Sequence, residues 1–254
     1  MKLTRKDFLR ILTGTAVAAG AGTLVHAVGS DGTETSNRTA TGKQRWAMVI
    51  DLQKCRRETG CTKCSAACHR AHNVPQMPDT AREVKWIWNE RREHVFPYQE
   101  SKYTRQTLPE TLPILCNHCA DPACVRVCPT KATWKREDGV VMMDYHRCIG
   151  CRYCMAACPY GSRSFNYLDP RPYVGTVNPD FPTRTAGVVE KCNFCEELLA
   201  QGRLPACVEA CPQKAMLFGD LNDENSSVRQ VLGARFAVQR KPELGCGPSI
   251  FYLV

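Results

Sequence analysis

Short apolar runs recur along the chain, and most of them stop or start at a cysteine. Met48-Val49-Ile50-Asp51-Leu52-Gln53-Lys54-Cys55 is matched by Val141-Met142-Met143-Asp144-Tyr145-His146-Arg147-Cys148, and Val188-Val189-Glu190-Lys191-Cys192 is a shorter echo. Apolar runs this short, ended by polar residues, predict strands that deliver the chain into a loop. A second repeat follows Cys-Pro pairs. Cys128-Pro129-Thr130-Lys131-Ala132-Thr133-Trp134, Cys158-Pro159-Tyr160-Gly161-Ser162-Arg163-Ser164-Phe165 and Cys211-Pro212-Gln213-Lys214-Ala215-Met216-Leu217-Phe218 each predict a turn and then a strand. Asp138-Gly139, between Trp134 and Val140, is a hairpin signal. Residues 226–232 predict a short helix behind polar capping residues. Phe251-Tyr252-Leu253-Val254 is either a last strand or a docking tail. Two segments interrupt the scheme: residues 71–107, which carry Trp86 and Trp88, and the proline-rich residues 168–186. Bulky aromatics usually fill cores, so the tryptophans are assigned to packing rather than to docking.

The cysteines give these repeats their chemistry. Sixteen of the seventeen fall into four groups of four: Cys55, Cys61, Cys64, Cys68; Cys116, Cys119, Cys124, Cys128; Cys148, Cys151, Cys154, Cys158; and Cys192, Cys195, Cys207, Cys211. The third group, C-x2-C-x2-C-x3-C-P, is a ligand run for a [4Fe–4S] cluster in the bacterial ferredoxin style. Two residues between cysteines let one tight loop aim successive sulfurs at one cluster. The last cysteine starts or lies in a helix pointing away, and so ligates the other cluster of a pair. The proline behind it turns the chain and donates no N–H. Paired C-x2-C units also occur in zinc sites, but zinc requires neither the third cysteine nor the Cys-Pro. A disulfide framework belongs to shorter exported chains than this one of 254 residues. No group lacks a cysteine, so nothing argues for a [3Fe–4S] centre. Cys246, the odd one, has no partner at ligand spacing and reads as a small residue in a turn. His69, His118 and His146 lie within two residues of these cysteines. They read as neighbours that tune a cluster, or as surface, rather than as ligands. The chain has no C-x-x-C-H haem attachment run.

The first residues change the compartment. Thr4-Arg5-Lys6-Asp7-Phe8-Leu9-Arg10, an apolar stretch to Val25 and the small-x-small Val25-His26-Ala27 are laid out as a signal peptide. The stretch is short for a membrane span. Arg-Lys followed by Asp-Phe-Leu resembles a twin-arginine signal with Lys6 in place of the second arginine. That route carries folded proteins, as an exported cluster protein needs; a Sec signal and an uncleaved anchor are the other options. The mature protein is expected to be soluble and periplasmic (extracytoplasmic), held peripherally at the membrane through a partner. The formal net charge is +9. Lys2, Arg5, Lys6 and Arg10 against Asp7 put three of these charges in the leader, and the remaining +6 faces anionic clusters. The basic residues are scattered, which argues against a nucleic-acid partner.

Taken together, the sixteen spaced cysteines resemble those of the four-cluster iron–sulfur subunits of membrane-bound oxidoreductases. Several strings narrow the resemblance to the DsrO type, the extracytoplasmic iron–sulfur subunit of Dsr membrane complexes. They are Met48-Val49-Ile50-Asp51, His72-Asn73-Val74-Pro75, Val84-Lys85-Trp86-Ile87-Trp88, Cys158-Pro159-Tyr160-Gly161 with Arg163-Ser164-Phe165, and Phe218-Gly219-Asp220-Leu221-Asn222-Asp223. The resemblance implies an α+β fold of two fused bacterial-ferredoxin-like units with pseudo-twofold symmetry, plus insertions and a C-terminal extension. The organisation expected is a signal peptide over 1–27, a linker over 28–44, an outer unit of 45–75 and 187–222, an insertion at 76–107, an inner unit over 108–168, a loop at 169–186 and an extension over 223–254. It implies four [4Fe–4S] clusters with exchanged ligands: Cys55, Cys61, Cys64 with Cys211; Cys192, Cys195, Cys207 with Cys68; Cys116, Cys119, Cys124 with Cys158; and Cys148, Cys151, Cys154 with Cys128. The five residues between Cys55 and Cys61 depart from the usual two and loosen the first loop. The implied partners are an integral membrane quinone-reactive subunit, a multihaem cytochrome c and a cytoplasmic heterodisulfide-reductase-like module. The implied function is electron transfer without substrate chemistry, in dissimilatory sulfur metabolism. The alternative is the iron–sulfur subunit of a molybdopterin reductase of the polysulfide or tetrathionate type, or of a cytochrome nitrite reductase complex. A structural zinc or disulfide protein is the remote one.

Overall fold

Strand β1 (Trp46–Asp51) carries no alternation because both its faces are buried. In the computed structural model, which describes residues 43–55, 60–97 and 108–254, it is an inner strand of a four-stranded sheet. Met48 and Ile50 face the main core with Phe218, Ile250 and Tyr252. Ala47 and Val49 face a smaller core with Val228 and Leu253. The described residues all lie in one unit, Thr39–Val254. The leader, most of the linker, the Cys55–Cys61 loop and part of the insertion lie outside the described residues.

The remaining strands show what the two sequence repeats build. In chain order they are β2 (Ile87–Arg91), β3 (Thr111–Leu115), β4 (Thr133–Lys135), β5 (Val141–Met143), β6 (Ser164–Phe165), β7 (Val189–Glu190), β8 (Met216–Asp220), β9 (Ala237–Val238) and β10 (Ile250–Leu253). Each cysteine group is entered from one strand and left by another. The strand leaving one group pairs antiparallel with the strand entering the next: β2 with β3, β4 with β5, and β6 with β7. The last closes on the first, because β8 pairs antiparallel with β1 over Trp46↔Asp220 to Ile50↔Met216. This pairing ties the two ends of the chain together around its middle. Asp138-Gly139 makes the predicted turn between β4 and β5, with Gly139 at φ +85°.

The C-terminal residues add to the same sheet. β10 runs parallel to β1, and β9 pairs with β10, giving the order β8-β1-β10-β9. Residues 251–253 are therefore strand, not tail, and Tyr252 and Leu253 are buried. The predicted C-terminal helix runs over Ser227–Ala234, but its N-cap Ser226 makes no side-chain capping bond. Ser226 packs against β8 instead. A methyl group on Gly219 would come within 2.7 Å of its Oγ, which is why that strand position is a glycine.

The helices are short. They are α1 (Leu52–Cys55), α2 (Lys63–Ala71), α3 (Arg92–Val95), α4 (Ala123–Arg126), α5 (Tyr153–Ala156), α6 (Glu196–Leu199), α7 (Ala206–Glu209) and α8 (Ser227–Ala234). Here the structure corrects the expectation for the last cysteine of each group. Only Cys68 lies in a helix. Cys128, Cys158 and Cys211 follow one, and the third cysteine (Cys64, Cys124, Cys154 or Cys207) is the helical residue. Among the described residues no helix is long and apolar enough to cross a membrane.

The two interrupting segments meet in the interior. Trp86 is fully buried and donates from Nε1 to Glu190 Oε2 at 2.9 Å. Glu190 also takes an ion pair from Arg184 at 2.6 Å, and both side chains are fully buried. Arg184 donates onward to the carbonyls of His72 and Asn73. The tryptophan is packing, as its bulk suggested, and the proline-rich segment is anchored through one buried cation.

Candidate metal centres

The loops around the cysteines are built by backbone conformation before any side chain acts. In three groups the second residue of the C-x2-C pair sits in the left-handed region: His118 at φ +41°, Gly150 at +70° and Phe194 at +60°. At Gly150 a Cβ would lie 2.5 Å from the Gly187 carbonyl, so only glycine fits. The Cys-Pro turns share a second kink three residues on, at Lys131 (+54°), Gly161 (+64°) and Lys214 (+46°). Past that kink the backbone points its amides back at sulfur. Ala215 N–H donates to Cys211 Sγ at 3.3 Å. Cys128 receives the amides of Thr133, Ala132 and Thr130 and the Thr130 hydroxyl, which outweigh burial and lower its pKa. Ser162 and Tyr160 supply such bonds to Cys158, though burial still leaves its thiol raised. In the last group Phe194 N–H reaches Cys192 Sγ, and Ala206 N–H reaches Cys195 Sγ, both at 3.4 Å.

These turns bring sulfurs from different groups together. Cys55, Cys61, Cys64 and Cys211 line one small cavity with Pro113 and Met216. Burial, with the charges of the neighbouring thiols, raises Cys55 to about 11 and Cys64 to about 12. Cys68 is raised well above its ordinary value by burial and then by Cys192, Cys195 and Cys207. Burial raises Cys119, and Cys116, Cys124 and Cys158 act on it. Cys154 is raised by burial and feels Cys148 of its own group and Cys124 of another. Cys151 is exposed, and the bonds to Cys128 come from its own turn. Buried thiols crowded this way are costly as free anions and are relieved by a bound cation. No two of the seventeen cysteines are joined by a disulfide in the structure.

Basic residues thread the same region. Arg163 is buried, and its Nη2 donates to Cys124 Sγ at 3.0 Å and to Thr133 Oγ1 at 2.8 Å. Lys191 is buried too and donates to the Val141 and Cys192 carbonyls. His118 stacks on Phe194 with ring centroids 3.7 Å apart, joining two C-x2-C loops back to back. Its Nδ1 accepts from Val141 N–H, and burial, then Lys191 and Arg163, hold its pKa well below the ordinary value. It is a neutral packing residue. His146 is exposed, whereas His69 is half-buried in α2. His72, which the spacing argument passed over, reaches Cys68 Sγ at 3.7 Å through Nδ1 and Glu197 at 2.7 Å through Nε2. Cys246 lies between two left-handed glycines, Gly245 and Gly247, and is buried against the second cysteine group. Its carbonyl accepts from Asp121 N–H, and its thiol acts on Cys119. Linear spacing could not reveal that neighbour.

Comparison with known proteins agrees with this chemistry. The family model described as a 4Fe-4S dicluster domain matches residues 109–169, and a second of the same description matches residues 140–212. The "Hdr-like menaquinol oxidoreductase iron-sulfur subunit 1" of Archaeoglobus fulgidus is 40% identical over 98% of this chain and 97% of its own length. The chain therefore belongs to the ferredoxin-type iron–sulfur subunits of membrane oxidoreductases. Other members are the "Menaquinone reductase, iron-sulfur cluster-binding subunit" of Nitratidesulfovibrio vulgaris and a polysulfide reductase component of Wolinella succinogenes. The first is 39% identical over 83% of this chain and 89% of its own length; the second is 34% identical over 82% and 93%. Membership makes this an electron-transfer subunit with clusters of the 4Fe-4S type.

Proposed function

We propose that this subunit holds four [4Fe–4S] clusters and relays electrons between a quinone-reactive membrane subunit and a redox partner in dissimilatory sulfur metabolism. The observation that carries the reading is the gathering of thiols across groups, with Cys211 beside Cys55, Cys61 and Cys64 and with Cys68 beside Cys192, Cys195 and Cys207. The ligand sets follow. One comprises Cys55, Cys61, Cys64 and Cys211, and a second comprises Cys192, Cys195, Cys207 and Cys68. A third comprises Cys116, Cys119, Cys124 and Cys158, and the fourth Cys148, Cys151, Cys154 and Cys128. The clusters, when bound, take up and release single electrons. The polypeptide fixes the sulfurs, directs N–H groups at them and buries seven of the sixteen cysteines. The closed succession of strand pairs, β8 back to β1, supports two ferredoxin-like units related by a pseudo-twofold, the outer formed by 45–75 and 187–222 and the inner by 108–168.

The Archaeoglobus relative is named as part of an Hdr-like menaquinol oxidoreductase. It supports an integral quinone-reactive partner together with a heterodisulfide-reductase-like module; a multihaem cytochrome c completes the proposed assembly. The leader over 1–27 supports a periplasmic position. A second reading, the cluster subunit of a molybdopterin reductase, is favoured by a tetrathionate reductase component of Salmonella typhimurium, 39% identical over 83% of this chain and 73% of its own length. Anaerobic isolation of the membrane complex separates the two. A quinone-reactive subunit is expected to co-purify, and a menaquinone analogue is expected to reoxidise the reduced protein. Recovery of a molybdopterin subunit would establish the second reading, and a reduced complex that ignores quinone would refute the first.

A further inference from the structure

The two halves of the cysteine framework are not electrostatically alike. In the inner half, α4 packs on α5 and brings Cys124 and Cys154 together, the third cysteines of their groups. Arg163 lies at that junction. It touches Cys124 Sγ at 3.0 Å, and its charge and a hydrogen bond also favour the Cys154 thiolate. It is only 5% exposed, so water screens little of its charge. In the outer half, α2 packs on α7 and brings Cys64 and Cys207 together. The leading influences on Cys64 are burial and Cys55, Cys61 and Cys211; those on Cys207 are burial, Cys192 and Cys64. None of these is a cation; the buried Lys191 acts on the outer Cys192, but it also acts on the inner Cys116 and Cys124 and so does not set the halves apart as Arg163 does.

The repeats locate the cause of the difference. Five residues after the last cysteine of a group stand Thr133, Arg163 and Met216. The two inner members meet each other, because Arg163 Nη2 donates to Thr133 Oγ1 at 2.8 Å. The outer member, Met216, lines the cavity of Cys55, Cys61, Cys64 and Cys211 and brings no charge. One position of a shared turn is therefore a guanidinium in one half and a thioether in the other.

We propose that Arg163 is a potential-setting residue: its permanent charge, placed between Cys124 and Cys154, raises the reduction potentials of the inner two clusters. The inference rests on the reading that these cysteines hold clusters. Its physical basis is that reduction adds negative charge, and a fixed positive charge beside the sulfurs favours the reduced state. A guanidinium suits the task, since it stays charged when buried.

The test is redox titration of the anaerobically purified full chain, followed by EPR, on wild type, Arg163→Gln and Arg163→Lys. Iron and acid-labile sulfide are measured first. Wild type holding far fewer than about sixteen irons per chain sinks the four-cluster reading itself before any potential is compared. With iron equal in all three proteins, Arg163→Gln should lower two of the four midpoint potentials and leave the other two in place. Arg163→Lys should restore most of the difference. Four unmoved potentials, a shift confined to the outer pair, or a lysine variant displaced as far as the glutamine one would overturn the proposal. If Arg163→Gln does not retain its iron, Thr133→Val is read in its place. It keeps the charge but removes the oxygen that anchors Nη2, so a smaller shift of the same two potentials is expected, and no shift counts against the role.

Discussion

The inner and outer cysteine pairs are made from the same turn, yet they are held by different means. The inner groups close on short, regular loops, with a buried guanidinium at their junction. The outer groups come from opposite ends of the chain and depend on long-range links: β8 on β1, α2 on α7, and Arg184 reaching the carbonyls just past Cys68. Local sequence sets the geometry of the inner pair, whereas tertiary packing must assemble the outer one. The outer pair should consequently be the first to fail when packing is weakened, and the inner pair the first to fail when a loop is altered.

Arg184→Met should give the largest effect. It strands Glu190, which is fully buried, without its cation, and removal of one partner from a buried pair costs about 3–5 kcal/mol. Denaturant unfolding should show that loss, and, on the proposed ligand sets, iron analysis during partial unfolding should show the outer iron released before the inner. Gly150→Ala addresses the other half. The added methyl group would lie 2.5 Å from the Gly187 carbonyl in a backbone at φ +70°, so the Cys148–Cys151 loop has to move. A cost of about 2 kcal/mol or more, with loss of one cluster's EPR signal and survival of the outer pair, is the expected outcome.

Acidification separates the halves by the pH at which they respond. His118, between Cys116 and Cys119, is held neutral by burial and by the nearby Lys191 and Arg163, so its folded pKa lies below its unfolded value of 6.5. The unfolded polypeptide takes up the extra proton, and stability present above that value declines as pH falls below it, by about 1.4 kcal/mol per pH unit. On the outer side, burial raises the Asp51 and Glu197 carboxyls but the bonds from Arg235 and His72 outweigh it and leave both lowered. Their contribution is intact above the unfolded carboxylate values of 3.8 and 4.5 and is lost only as pH drops through the folded ones. Thermal unfolding between pH 7.5 and 5.5 should show a slope that His118→Gln flattens; an unchanged slope would remove His118 from the account. The smallest expected effect is Lys214→Gly. Relief of a left-handed lysine at φ +46° in an outer turn should stabilise by about 1 kcal/mol at most, with iron content unchanged.

The same contrast explains what could be read along the chain. The strands entering Cys55, Cys148 and Cys192 were legible, because an apolar run stopping at a cysteine is a local signal. So were the strands after the Cys-Pro pairs, which the kinks at Lys131, Gly161 and Lys214 set up. The third cysteines' helices were not legible. A single turn such as Ala123–Arg126 holds too few residues to show a helical period. Strands β2 and β3 left no such signal, since β2 lies within the insertion, away from any cysteine, and its partner β3 follows no Cys-Pro turn. Contacts across the fold left no trace in spacing: Cys246 beside Cys119, His72 beside Cys68, and Arg163 beside Cys124. The repeat did mark Arg163, Thr133 and Met216 as equivalent positions, but it gave no hint that two of them touch.

Iron and acid-labile sulfide per chain, measured on the anaerobically purified protein, test the central claim most directly. The four clusters proposed for these thiols predict about sixteen of each, with little zinc. Zinc in place of iron, or only about eight irons per chain, would contradict it.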